Sequence, residues 1–165
     1  LETEQLFDAP MVIFCSAQHP LAGRNDLTLS DLMRYPWAAP LMQGRYLASI
    51  PSDLGAAGRI DHETGDFVPA ICADSFSAMT AAVRNGRAIS AAPSAFIRDD
   101  LGRGDFVVLP VWEPWMRMSY GLIWRKGHPW SRSLSDFIDT LRKVLARTEP
   151  GEAAPAGETP VAGPR

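Results

Sequence analysis

The chain is poor in the residues that carry most protein chemistry. Two cysteines, Cys15 and Cys72, stand among 165 residues. They are too few for a disulfide framework and lack the CxxC spacing of a zinc or redox pair, so a reduced, cytoplasmic chain is expected. The three histidines, His19, His62 and His128, show no i, i+4 spacing to one another, and no metal site is expected. Cys15 and His19 are four apart, but Cys15 closes an apolar run, where a buried and inert thiol is the ordinary outcome. His19 and His128 each precede a proline and read as turn residues. Lysine occurs only at Lys126 and Lys143. No apolar run approaches the roughly 18 residues needed to cross a bilayer, and the opening Leu1-Glu2-Thr3-Glu4 is acidic where a signal peptide is basic. Neither a membrane protein nor a secretory precursor is expected. Excess charge is also scarce: 16 basic and 19 acidic residues leave a net charge of −3. That balance gives no bulk attraction to a phosphate backbone, so nucleic acid is not an expected partner of these residues. GxSxG, GxxxxGK[ST] and GxGxxG are all missing, and Gly102-Arg103-Gly104 reads as a helix stop followed by a turn.

What is present is a globular composition, 46% apolar and 21% charged, which excludes a wholly disordered or fibrous chain. Its length suits one domain or two small lobes. An opening at Leu1 without methionine leads to the expectation of a fragment of something longer. The unbroken run Met11 to Cys15, bounded by Pro10 and His19-Pro20, predicts a buried strand. Thr28 and Asp31 bracket a capping-box start for a short helix that ends at Tyr35-Pro36. Trp37 to Pro40 then reads as a strand.

From Ile71 to Pro93 the pattern is strand, helix, strand. Asp74 and Ser75 serve as N-caps, Phe76, Met79 and Val83 share one helical face, and Gly86 stands at a left-handed C-cap. Pro93-Ser94 opens another helix, with Ile97 and Leu101 four apart and Gly102 closing it. Phe106 to Leu109 and Tyr120 to Trp124 complete the strands. Leu134, Phe137, Ile138, Leu141, Val144 and Leu145 recur at spacings of three and four, predicting an amphipathic helix capped by Ser133 or Ser135. Residues 148–165, rich in proline and glycine, predict a disordered tail. Strands alternating with helices argue for an α/β fold with a largely parallel sheet. Asp99-Asp100 and Arg125 to His128 read as solvated surface, and Trp112, Trp115, Trp124 and Trp130 as packing residues.

Four blocks in order carry a family resemblance. They are Leu1 to Phe14 with His19-Pro20-Leu21-Ala22; Leu27 to Leu32 with Tyr35-Pro36-Trp37; Asp74-Ser75 through Gly86, Ile89 and Pro93 with Gly104 to Leu109; and Tyr120 to Lys126 with the helix from Leu134. Over residues 1–147 the chain resembles the effector-binding domain of LysR-type transcriptional regulators. It departs from the family pattern at Ala88, which stands where a second glycine is usual, at Pro51 in a segment that is usually helical, and in a longer loop from Gly58 to Phe67.

The resemblance implies a two-lobed fold like that of type 2 periplasmic binding proteins, with the first lobe incomplete. Residues 1–10 would be a remnant of that lobe, 11–127 the second lobe, and 128–147 a helix returning to the first. It also implies a small-molecule effector, commonly a carboxylate, in a cleft between lobes. Homo-oligomers would form through effector domains, and DNA would be reached only through a helix-turn-helix domain outside this chain. No cofactor, metal, membrane or catalytic residue is implied; the activity is a switch in the cytoplasm. The cleft positions it points to are Pro40, Leu41, Met42 and Gln43, then Asp74, Ser75 and Phe76, then Pro93 and Ser94. Strand ends and helix N-termini offer free backbone N–H donors, Gln43, Ser75 and Ser94 add polar side chains, and Leu41 and Met42 add apolar contact. Capping alone is the competing reading at Asp74, Ser75 and Ser94. A periplasmic-type solute-binding protein, or an enzyme on the same scaffold, stays open as an alternative.

Overall fold

The computed structural model describes residues 1–43, 51–113, 116–127 and 130–147. The expected tail at 148–165 lies outside the described residues, as do Gly44, Trp115 and the turn expected at His128. The elements in chain order are β1 (Glu2–Ser16), α1 (Leu29–Leu32), β2 (Ala38–Ala39), β3 (Gly58–Ile60), β4 (Phe67–Pro69) and β5 (Ile71–Cys72). They continue with α2 (Phe76–Asn85), β6 (Ile89–Pro93), a 3-10 turn (Ser94–Ile97), α3 (Arg98–Arg103), β7 (Phe106–Val108), β8 (Arg117–Trp124) and α4 (Arg132–Arg147). The chain divides into two compact units, one of Leu1–Ala9 with Ser119–Arg165 and one of Pro10–Met118.

In the Pro10–Met118 unit the run Met11 to Cys15 lies at the centre of the sheet. Its residues alternate between faces, so each face needs its own cover. Ile13 and Cys15 enter a core with Leu21, Leu32, Trp37, Phe67, Ile89 and Leu109. Phe14 enters a second core with Val83, Ala92, Ile97 and Phe106, and its ring lies 5.1 Å from that of Phe106. Burial on both faces explains why this strand is continuously apolar.

The expected α/β fold is present, with strands of mixed direction. β1 pairs antiparallel with β6, Met11 opposite Pro93, and with β7, Phe14 opposite Val108; β6 and β7 therefore run the same way. Trp37 bridges Ile89 in parallel, and β2 pairs in parallel with β5. β2, β5, β6 and β7 thus share one direction, while β1 threads between β6 and β7 in the opposite sense.

The segment expected as a long loop after Gly58 is a hairpin, in which β3 and β4 pair antiparallel, Ile60 opposite Phe67. Asp61 turns it by accepting from the amides of Glu63 at 2.9 Å and Thr64 at 3.1 Å. The capping box on α1 is present: Thr28 Oγ1 accepts from Asp31 N, and Asp31 Oδ2 accepts from Thr28 N at 3.0 Å.

Three cap expectations are corrected. Gly86 is extended rather than left-handed, so α2 ends by running straight toward β6. Gly102 lies inside α3, and Gly104, at φ 74°, makes the left-handed stop with its N–H on the Asp100 and Leu101 carbonyls. α4 is capped by Ser131, whose Oγ accepts from Leu134 N at 3.2 Å, two residues before Ser133 and four before Ser135. Asp100, expected on solvated surface, is mostly covered and bonded to both Arg84 and Arg103.

The Leu1–Ala9 and Ser119–Arg165 unit is held by polar pairs. Arg142 binds Glu4 with two nitrogens, at 3.0 and 2.7 Å, Ser119 donates to Asp8, and Trp124 Nε1 donates to Glu2 at 2.7 Å. Phe7 stacks on Tyr120 with centroids 4.8 Å apart. At Gly121 a Cβ would meet the Glu4 carbonyl oxygen at 2.5 Å, so only glycine admits this approach. Of the apolar stripe on α4, Ile138 is buried, while Leu134 and Phe137 are 41% and 62% exposed.

Candidate functional site

Where neighbouring strands share a direction, their C-terminal ends open at one edge of the sheet. β2 lies between β5 and β6, tied to β5 by the Ile71 N–H on the Trp37 carbonyl at 2.9 Å and to β6 by the Ile89 N–H on the Pro36 carbonyl at 2.9 Å. The buried Ser90 hydroxyl adds a bond to the Ala38 carbonyl at 2.7 Å. The three outlets after these strands, Pro40–Gln43, Ala73–Phe76 and Pro93–Ser94, therefore leave from the same edge. Ala73 N bonds Ala39 O at 3.1 Å, which fixes the second outlet to the first. The rings of Phe76 and Phe96 meet edge to face, 5.5 Å apart at 73°, which fixes it to the third.

The nine expected positions play different parts within this edge. Ser75 is the N-cap of α2, its Oγ accepting from Ala78 N at 3.2 Å, so capping does occupy this hydroxyl. The first amides of α2, on Phe76 and Ser77, lie ahead of the helix's own ladder, where a helix leaves its donors unspent. Asp74 and Ser94 do not cap: the 3-10 turn has Pro93 at its cap position with no side-chain bond. Asp74 is exposed and Ser94 half-buried, and among the described residues neither makes a side-chain hydrogen bond.

Met42 is committed elsewhere, because its backbone exchanges two hydrogen bonds with Phe67, at 3.1 and 2.8 Å, and its side chain packs on the first core. Pro40 and Gln43 are exposed, and Leu41 is 51% exposed. Pro93 is buried. Phe96, 54% exposed, is a member of this edge that the sequence reading missed; an aromatic three residues beyond the strand end was the available signal.

The edge can offer backbone N–H donors, one free hydroxyl, an amide and two apolar side chains, which is recognition chemistry. Among the described residues no three His, Cys, Asp or Glu side chains stand together as a metal site. His19 is engaged at both ring nitrogens, Nδ1 accepting from Leu21 N at 3.1 Å and Nε2 bonded to the Arg87 carbonyl at 2.9 Å. Burial pushes the Cys15 thiol up to about 12, which removes it as a nucleophile at neutral pH. No described helix is long and apolar enough to cross a membrane.

Comparison with known proteins agrees with this architecture. The chain is 31% identical over 161 residues to the SDS degradation transcriptional activation protein of Pseudomonas sp. (strain ATCC 19151), a match covering 93% of the chain and 48% of that relative. The chain thus spans about half of the curated relative. A putative transcriptional regulator from Vibrio parahaemolyticus superposes with a TM-score of 0.64 at 21% identity, over 89% of this chain and 66% of that one. The Synechocystis PCC6803 CcmR regulatory domain, solved in complex with 2-PG, gives 0.60 at 19% identity, over 89% and 68%. At these identities the structures establish the fold alone, the periplasmic-binding-protein-like α/β fold of such regulatory domains. The family model that describes the LysR substrate binding domain matches residues 1–146, and the chain belongs to that family.

Proposed function

We propose that this chain is the effector-sensing domain of a bacterial LysR-type regulator, taking up a small metabolite at the strand-end edge and passing the event to a DNA-binding domain of the parent protein. The observation that carries this reading is the convergence of three strand outlets on one edge, with donors that the fold leaves unspent. The ligand's oxygens would bond the Phe76 and Ser77 amides and the Ser94 hydroxyl, with Gln43 adding an amide. Its apolar part would lie on Leu41 and Phe96. A carboxylate fits these donors, although the exposed Asp74 would repel a second negative charge on that side. The work done is a shift of population between conformations, not turnover. In the cell the parent protein would act in the cytoplasm as a homo-oligomer joined through its effector domains.

The test is thermal unfolding of the purified chain against small carboxylates, aromatic acids, 2-PG and a short alkyl sulfate. The last two follow from the 2-PG bound to the Synechocystis CcmR regulatory domain and from the SDS degradation that names the Pseudomonas relative. A ligand of the native state raises stability by mass action, about 2.7 kcal/mol at a hundredfold excess over Kd. Ser94→Ala should leave the ligand-free melting temperature within a degree or so and weaken the ligand's effect roughly tenfold, the size of one lost hydrogen bond. A ligand that stabilises Ser94→Ala as strongly as the parent chain would place binding elsewhere.

A further inference from the structure

We draw no further inference here: the strongest candidate, the apolar face of α4 that carries Leu134 and Phe137, is exposed, but nothing in the structure shows what covers it.

Discussion

Burial of His19 opposes its protonation, outweighing the Nε2 bond to the Arg87 carbonyl that favours it. Nδ1 already accepts the Leu21 N–H, and a proton placed there would set two donors against each other. The ring is buried against Tyr35, centroids 4.6 Å apart, and burial lowers its pKa below the ordinary imidazole value. The folded chain therefore keeps a neutral imidazole that the unfolded chain protonates near pH 6.5. Stability is full above that pH and falls as pH drops through the interval down to the lowered folded value. Urea unfolding between pH 7.5 and 5 should show this loss, and His19→Asn should be less stable but flatter across the interval. An equally steep loss in the variant would assign the effect to other groups. The cysteines give a second expectation. Cys15 is buried and Cys72 exposed, so a thiol reagent at pH 8 should titrate one thiol per native chain quickly and the second only in denaturant. Two fast thiols would contradict the buried strand.

At the scale of elements, what could be read from the sequence depended on how local the signal was. The α1 box needs only Thr28 and Asp31, three residues apart, and it was legible. Thr28→Ala should cost about 1 kcal/mol in chemical unfolding, the usual worth of an N-cap; no change would mean that packing of Leu29 and Leu32 alone holds the turn. The Met11 to Cys15 strand was legible because burial on both faces leaves a continuous apolar run. The β3–β4 hairpin was not: each strand has three residues, Pro69 closes one of them, and the Asp61 turn looks like any polar loop. Caps were read two to four residues off at Ser131 and two residues off at Gly104, because a serine or glycine nearby carries the same local signal. Of the site, the family resemblance supplied the positions, and the strand directions explain why they share an edge. That Ser75 is spent on its helix follows a local three-residue signal, the capping reading already open in the sequence, whereas the backbone pairing of Met42 with Phe67 depends on long-range contact that no local pattern encodes.

At the scale of the whole molecule, the α4 face is the feature with a solution consequence. An amphipathic helix with Phe137 and Leu134 in water favours self-association. Light scattering at micromolar concentration should find species larger than a monomer, and Phe137→Glu should shift the distribution toward the monomer. A monodisperse monomer of the parent chain would show that the exposed face is too small to drive contact.

The threading of β1 has its own consequence, in the time domain of synthesis. Its partners Pro93 and Val108 lie far downstream, roughly eighty and ninety residues later, a long-range closure of the kind that slows folding. At about 5–20 residues per second, Met11 to Cys15 leaves the ribosome several seconds or more before either neighbouring strand exists to pair with it. During that interval the most apolar strand of the sheet has two bare faces and two open edges. Chaperone demand and aggregation during expression should therefore concentrate on the Met11 to Cys15 segment until β6 and β7 are made.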